Sequence, residues 1–321
     1  MGDDFLLPIK EKISQHLWKY NGRTIRLGIG CAHLREYGED TALKPFEESR
    51  AILLKCYETG FRYYDTSRQY GESEISVGKF IQEIDRKTIF LATKGNYNPR
   101  IPDGFELFKR HFYESFERLH TDYIDLYQIH DVDYYGVCCE KVIPFLLERK
   151  KEGMIGYIGQ GTRSIRAHIQ GVSDGYVESM LSYLDYNLVK GAALRAIETA
   201  KKHDAAFINA SVLLFGLIKR EHPDFEEGKK FIGPIKWARE FLFKMCDYCD
   251  ANNIDMVAAA LQFSLLNPDV DITLNGIKRY SNLESTLRSM NTVIYPEQWA
   301  GIFKLQAEDE HFYYDDEYNY V

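Results

Sequence analysis

Four titratable side chains of this sequence could together move a proton at neutral pH, and they are Asp65, Tyr70, Lys94 and His130. A free phenol has a pKa of about 10 and is a poor proton donor or acceptor at that pH. An adjacent ammonium such as that of Lys94 favours phenolate, which would lower the pKa of Tyr70 towards the working range. The Asp65 carboxylate would keep the ammonium charged, and a neutral His130 could orient a carbonyl oxygen. These side chains indicate proton transfer to an oxygen while another group attacks the carbon.

Three of these residues follow apolar or aromatic runs that are typical of strands, and Tyr70 lies in a Gly-flanked turn just after the first run. Taken singly, Asp65 could cap a turn, Lys94 could be solvated and His130 could be an ordinary buried histidine. Their convergence at the ends of successive strands favours a functional site. The runs are FRYYDT (61–66), TIFLATK (88–94) and YIDLYQIH (123–130).

Strand and helix patterns alternate along the rest of the chain. Eight such units over roughly 260 residues predict an α/β fold of the (β/α)8 TIM-barrel type, with chemistry at the C-terminal ends of the strands. The predicted strands are 23–30, 61–66, 88–94, 123–130, 155–161, 178–186, 205–211 and 271–276, and the predicted helices are 46–59, 73–84, 104–119, 139–151, 190–203, 236–252 and 281–290.

A doubly wound open sheet is the competing architecture for this pattern. Its dinucleotide fingerprint G-x-G-x-x-G would follow the first strand, but GIGCAH (28–33) has only the first two glycines. We therefore predict one barrel domain over residues 1–321, with a core at about 23–290 and extensions at 1–22 and 291–321.

Composition and charge limit the partners. The net charge of −8 and the pI near 5.7 argue against nucleic acid or an anionic membrane as a partner. The longest apolar run, 256–261, is far shorter than the roughly 20 residues that span a bilayer. The start, MGDDFLLPIKEK, lacks the basic and long apolar regions of a secretory signal. The sequence thus predicts a cytoplasmic protein without membrane or nucleic-acid partners.

Six cysteines are too few for a disulfide scaffold in a chain of 321 residues. The segment CDYC (246–249) has the spacing of a redox pair or half a zinc site, but no second cluster accompanies it. We interpret these as ordinary helix cysteines and predict no metal site.

Several segments of the chain resemble the conserved motifs of the aldo-keto reductases. The family motifs are D-T-[AS]-x-x-Y-G-x-S-E, a strand that ends in a catalytic Lys, R-L-G-x-D-Y-I-D-L-Y-x-x-H and G-K-I-R-x-I-G. The likeness runs from about residue 23 to 290, and the weaker signals LSYLDYNL, ASVLLFGL and AAALQFSLLNP place it nearest the sugar-oxidising (L-galactose-type) branch. The matching segments are DTSRQYGESE (65–74), ATKG (92–95), RLHTDYIDLYQIHD (118–131), in which His120 replaces the usual Gly, and GMIGYIG (153–159).

The resemblance implies that the four residues form a catalytic tetrad with Tyr70 as general acid or base. It also implies an extended nicotinamide cofactor that exchanges hydride with an aldehyde, a ketone or an aldose. A barrel that binds the cofactor as a sensor or regulatory subunit, with little turnover, is the alternative. The partner would be a small carbonyl or sugar substrate, and the protein would be a monomer or homodimer.

The cofactor residues implied by the resemblance depart in places from the family pattern. Thr162 follows Gly161 where Ser-Asn is common, Tyr183 takes the place of a Gln, and Ala210 takes the place of a stacking Tyr. The full implied set is Gly30, Cys31, Asp65, Thr162, Tyr183, Ser211, Leu213, Gly276, Lys278, Arg279 and Asn282.

The choice between NADP(H) and NAD(H) depends on the end of the last strand. Lys278 and Arg279 precede a helix N-terminus expected at about Ser281, and could bind a 2′-phosphate. They could also be a solvated pair of charges. Asn282 takes the place of an Arg used by other branches, and sugar-oxidising relatives often use NAD. The sequence favours NADP(H) slightly over NAD(H).

Two long loops could shape the substrate pocket, or could equally be surface loops. The candidates are His33, with Leu34 and Tyr37, in the segment 31–46, and Trp237, with Phe225, in the segment 219–237; Tyr70 and His130 would also contact substrate. The acidic and aromatic tail 311–321 has no assigned role.

Overall fold

A computed structural model describes residues 7–34, 46–131, 135–219 and 238–314. Eight parallel strands close into a barrel in chain order, with the last strand paired to the first, which confirms the predicted (β/α)8 fold. The predicted strand boundaries differ from the observed ones by at most three residues at each end, except for the first strand. The barrel strands are β3 (Leu27–Gly30), β4 (Tyr63–Asp65), β5 (Phe90–Asn96), β6 (Ile124–His130), β7 (Ile155–Gly161), β8 (Ser179–Tyr183), β9 (Ala206–Ala210) and β10 (Ile272–Gly276).

Helices surround the barrel, and four of them were not predicted: α1, α6, α9 and α11. The helix α9 shows why, because most of its residues are buried and no polar face reveals a helical period. Asp255 caps it by accepting from the backbone N–H groups of Val257 and Ala258 at 3.0 and 3.1 Å. The described helices are α1 (Ile9–Gln15), α2 (Phe46–Glu58), α3 (Ser73–Ile81), α4 (Gly104–Leu119), α5 (Tyr135–Lys151), α6 (Ile165–Ser173), α7 (Leu194–Lys202), α8 (Arg239–Ala251), α9 (Met256–Leu266), α10 (Tyr280–Asn291) and α11 (Pro296–Glu308).

The prediction of a single strand at 23–30 is wrong, because the chain forms two strands there: the second strand of a hairpin and the barrel strand β3. β1 (Trp18–Tyr20) and β2 (Arg23–Ile25) make an antiparallel hairpin whose turn is Asn21-Gly22, and both turn residues have positive φ. Asn-Gly is the preferred sequence for such a two-residue turn. Arg26 separates β2 from the barrel strand and donates to the carbonyl oxygen of Asn267 at 2.7 Å.

The N-terminal end of the barrel is closed by α1. Ile9 and Ile13 pack against the barrel interior, where the rings of Tyr63 and Phe90 are stacked with centroids 4.8 Å apart. A Cβ on Gly28 would lie 2.9 Å from the Tyr63 ring, so this interior is tightly filled. The barrel interior is therefore closed at this end.

The cysteines of CDYC lie within α8, where Cys246 and Cys249 are both buried. Burial raises the pKa of each thiol to about 12, so neither is a thiolate at neutral pH. The geometry agrees with the interpretation of ordinary helix cysteines. None of the described helices is long and apolar enough to cross a membrane.

Candidate active site

Asp65, Lys94 and His130 lie side by side on neighbouring strands near the C-terminal end of the barrel. Asp65 ends β4 and His130 ends β6, while Lys94 lies two residues before the end of β5. β5 continues to Asn96, two residues beyond the predicted strand end at Lys94, and Asn96 pairs in register with His130. All three charged or titratable side chains are buried. The structure therefore brings these residues together.

The Lys94 ammonium is held by two groups. It donates to the Asp65 carboxylate and to the Thr66 carbonyl oxygen at 2.8 Å. The other Asp65 oxygen accepts from Gln128 Nε2 at 3.0 Å. Burial alone would lower the pKa of Lys94, but Asp65 and Tyr70 more than offset this and raise the pKa. Lys94 is therefore cationic at neutral pH.

Tyr70 lies over this ion pair. Lys94 Nζ is 5.1 Å from the centre of the Tyr70 ring, close enough for its charge to act on the phenol. The Tyr70 ring is perpendicular to the His130 ring, with centroids 5.5 Å apart. The four residues thus form one cluster.

The expected fall in the pKa of Tyr70 does not occur in the protein alone. Burial raises the pKa of the phenol, and the opposing effect of Lys94 is smaller. Asp65 and Asp131 add to the rise. Tyr70 is therefore a neutral phenol at neutral pH, which is the form that can donate a proton.

His130 is held neutral and oriented. Burial, assisted by the charge of Lys94, lowers the pKa of its imidazole to about 3. Its Nδ1 lies 2.9 Å from Ser67 Oγ and 3.3 Å from Gln69 Oε1. Nε2 has a carboxylate oxygen of Asp131 at 3.9 Å, beyond hydrogen-bond range. This leaves Nε2 as the ring nitrogen for a substrate oxygen.

Sequence reasoning missed Ser67, Gln69 and Gln128 as parts of this site. Ser67 and Gln69 lie inside the segment DTSRQYGESE, and Gln128 faces the barrel two residues before His130. Alternation along the predicted strand puts Gln128 on the same face as His130. That was the signal that could have found it.

We expect Ser67→Ala to lower kcat/KM by about three- to tenfold, the usual scale for one lost hydrogen bond. The buried His130 ring would lose its closest partner at Nδ1, so the loss should fall mainly on kcat. The ¹⁵N resonances of the His130 imidazole should shift, which a purely structural role would not cause.

Ser76→Ala is the matched control. Ser76 is a buried serine of α3 whose Oγ has no hydrogen-bond partner among the described residues. Equal losses in the two variants, with His130 resonances unchanged, would contradict a positioning role for Ser67.

The implied cofactor residues follow the ends of several strands but differ in accessibility. Cys31 is fully buried, and its N–H donates to the Asp65 carbonyl oxygen while its own carbonyl oxygen accepts from Ser73. Cys31 therefore has little surface or hydrogen-bonding capacity for a ligand. Thr162 is buried and its Oγ1 accepts from the Ser164 N–H. The more accessible members are Gly30, Tyr183, Ser211, Leu213, Gly276, Lys278, Arg279 and Asn282.

Backbone strain marks the same end of the barrel. Asp131, Leu184 and Ser211 directly follow β6, β8 and β9, and their φ angles are 50°, 67° and 59°. Non-glycine residues with such left-handed backbone concentrate at functional sites. No residue pattern in the sequence predicted this feature.

The substrate-loop candidates are only partly described. His33 is exposed and Leu34 is buried beside it. Tyr37, Phe225 and Trp237 lie outside the described residues, as does the tail beyond residue 314.

The fold is a (β/α)8 barrel that carries a cluster of titratable side chains near the C-terminal ends of its strands. The chain belongs to the aldo/keto reductase family, because the family model matches residues 26–307. Dehydrogenases are among the similar curated proteins, and the chain is an NAD(P)-dependent oxidoreductase. These relationships do not favour the sensor alternative.

Two relatives are named for sugar oxidation. L-galactose dehydrogenase of Arabidopsis thaliana is 26% identical over 254 residues, covering 76% of this chain and 78% of the relative. D-threo-aldose 1-dehydrogenase of a Pseudomonas species is 25% identical over 307 residues, covering 85% and 92%. The solved structure of aldo-keto reductase AKR11C1 from Bacillus halodurans, in its holo form, has a TM-score of 0.67 at 22% identity, covering 90% of this chain and 95% of that one. That structural likeness supports the fold.

The residues at the end of β10 fit the phosphate end of a nicotinamide cofactor. α10 begins at Tyr280, one residue before the expected position, and its N-cap residue Arg279 makes no side-chain cap hydrogen bond. Among the described residues, a Cβ on Gly276 would meet no atom within 4 Å. Lys278 and Arg279 add positive charge at a helix end that already favours anions.

Proposed function

We propose that this protein transfers hydride between a nicotinamide cofactor and the carbonyl carbon of an aldose, with Tyr70 as general acid or base. The observation that carries the proposal is the cluster in which the neutral phenol of Tyr70 lies over the buried, cationic Lys94, with Nζ 5.1 Å from the ring centre. The family membership and the two sugar dehydrogenases among the relatives support the substrate class.

Each residue of the cluster has one proposed task. The cofactor, when bound, would supply or accept the hydride. In reduction Tyr70 donates its phenolic proton to the substrate oxygen as the carbon is reduced, and in oxidation the phenolate takes the proton back. Lys94 stabilises the phenolate that remains after donation, and Asp65 keeps Lys94 charged. The neutral His130 directs Nε2 at the same oxygen and so orients the carbonyl.

The raised pKa of Tyr70 has a consequence for direction. A neutral phenol at neutral pH is ready for reduction, whereas oxidation needs the phenolate. Sugar oxidation should therefore accelerate as pH rises towards the phenol pKa, and carbonyl reduction should not.

The test is a substrate panel followed at 340 nm. Purified protein is assayed with NADP⁺ or NAD⁺ and L-galactose, D-arabinose and L-fucose, and with NADPH or NADH and small aldehydes and ketones. We expect turnover with at least one aldose at a higher kcat/KM than with any of the small aldehydes or ketones. Cofactor binding by fluorescence without turnover on any member would contradict the proposal, and activity confined to non-sugar carbonyls would contradict the aldose assignment.

For the cofactor, we propose that Lys278 and Arg279 favour NADP(H). Replacing both with Ala should weaken NADPH binding by about ten- to hundredfold, because hydrogen bonds to a charged group are typically that strong, while NADH binding changes little. Fluorescence titration of both cofactors measures the effect.

The control variant also removes two positive charges, one at the C-terminal end of α10 and one on α11. Arg288 lies in the last turn of α10 and Lys304 on α11, so Arg288→Ala with Lys304→Ala should leave both affinities unchanged. An equal loss of NADPH and NADH affinity in the first variant, or a parent protein that prefers NADH, would contradict the proposal.

The sequence predictions of a single domain, a cytoplasmic location and a monomeric or homodimeric state stay part of this proposal. Size-exclusion chromatography with light scattering tests the last of them.

A further inference from the structure

A basic cleft lies at the N-terminal end of the barrel, opposite the catalytic cluster. It has a volume of about 520 Å³, which is within the range of small-molecule sites. Its walls come from α1 and the start of β1, from the residues before β4, and from the residues before β5. Lys12, Lys19, Arg62 and Lys87 line it, and no Asp or Glu is among its lining residues. Four cations thus share one cleft in a chain whose net charge is −8.

Three of these cations are not neutralised by carboxylates. Within residues 7–34, 46–131, 135–219 and 238–314, none of the recorded ion pairs includes Lys19, Arg62 or Lys87. The carboxylate of Asp85, close by in sequence, instead accepts from the backbone N–H of Lys87 at 3.0 Å. Elsewhere on the surface, Lys109 pairs with Glu106 at 2.7 Å. The cleft therefore keeps an excess of positive charge.

Arg62 is held in place before any ligand arrives. One terminal nitrogen donates to the carbonyl oxygens of Tyr57 and Phe61, each at 2.8 Å, and the guanidinium lies 4.0 Å from the centre of the Tyr57 ring. These contacts leave the second terminal nitrogen outside those bonds. A fixed guanidinium loses little entropy on binding an oxyanion and suits its geometry.

The wall that carries Lys19 is also fixed. Gly60 has φ of 105°, and a Cβ there would lie 2.5 Å from the Lys19 carbonyl oxygen. The Trp18 indole donates to the Thr59 carbonyl oxygen at 2.9 Å. β1 is thus held against the residues that precede Arg62, and this contact sets the width of the cleft.

We propose that this cleft binds a small, multiply charged oxyanion, with Arg62 as the anchor and Lys19 and Lys87 as flanking charges. The ligand is either a phosphorylated compound or a polycarboxylate, since both present the oxygen geometry and charge that these cations recognise. This inference does not depend on the proposed sugar chemistry, because the cleft shares no residue with the catalytic cluster.

Calorimetric titration of the whole protein with inorganic pyrophosphate and, separately, with citrate tests the proposal. Saturating NADPH and constant ionic strength keep both probes from the cofactor site and from general screening. We expect saturable 1:1 binding of one probe, and its identity assigns the ligand to the phosphorylated or the polycarboxylate class. The double variant Lys19→Ala, Lys87→Ala should weaken that binding by about tenfold or more.

Lys109→Ala is the control, because it removes a surface lysine from α4, outside the cleft. Both altered lysines of the double variant are exposed, so folding should be retained, and circular dichroism checks this. Absence of saturable binding for both probes would overturn the proposal. An equal loss of anion affinity in Lys109→Ala and in the double variant would overturn it too, since any surface cation would then attract the anion.

Discussion

Tyr70→Phe is expected to slow hydride transfer by about 10²–10⁴-fold, the usual contribution of a general acid or base. The change removes one hydroxyl and keeps the ring, so the packing against His130 and the cation beneath it are preserved. Cofactor affinity should hardly change, because the lost interaction belongs to the transition state. Single-turnover measurement with saturating cofactor gives the rate directly.

Tyr113→Phe is the matched control for this experiment. Tyr113 is an exposed tyrosine of α4 whose hydroxyl accepts from Arg149 at 2.7 Å, away from the cluster. Its removal should leave the rate unchanged. If Tyr70→Phe transferred hydride at nearly the parent rate, the proposed proton carrier would be wrong and Tyr70 would be a turn residue.

Lys94→Met should cause a loss comparable to that of Tyr70→Phe and should also shift the pH profile. Lys94 opposes the rise in the pKa of Tyr70 that burial causes, so its removal lets that pKa rise further. Oxidation needs the phenolate, so its rate should now increase only at higher pH than in the parent. The pH dependence of kcat/KM for sugar oxidation measures the shift.

Asp65→Asn removes the negative charge that pairs with the Lys94 ammonium. If Asp65 only holds Lys94 charged and in place, this variant should lose less activity than Lys94→Met. Circular dichroism must accompany both, because Lys94→Met leaves the buried Asp65 carboxylate without its cation. A pH profile that does not move in folded Lys94→Met would contradict the role of Lys94 on the phenol.

The pH dependence of stability follows from the same shifts. The pKa of Lys94 is raised in the folded protein, so its stabilising contribution is complete below the unfolded pKa of about 10.4 and is lost as pH rises through the folded value. The pKa of His130 is lowered to about 3, so its burial costs stability as pH falls from about 6.5 towards that value. Neither group should change stability between about pH 7 and 9.

The alternation of strands and helices, and the positions of the cluster residues on the strands, follow from the sequence alone. Local patterns carry this information, because apolar runs fix the strands and barrel topology then fixes which ends meet. Asp65 and His130 stand at observed strand ends, and the bounds of α4 agree with the prediction at both ends. The split of the segment 23–30 also has a local cause, since Asn21-Gly22 is a hairpin signal.

The protonation of the cluster and the existence of the basic cleft depend instead on tertiary packing. The sequence placed a lysine near Tyr70, but the net pKa depends on how completely the phenol is buried, and that depends on packing by distant segments. The cleft joins Lys19, Arg62 and Lys87 from three separate segments, each of which precedes a strand or lies within one. Their charges act together because the barrel brings the starts of those strands to one end, which no window of the sequence contains.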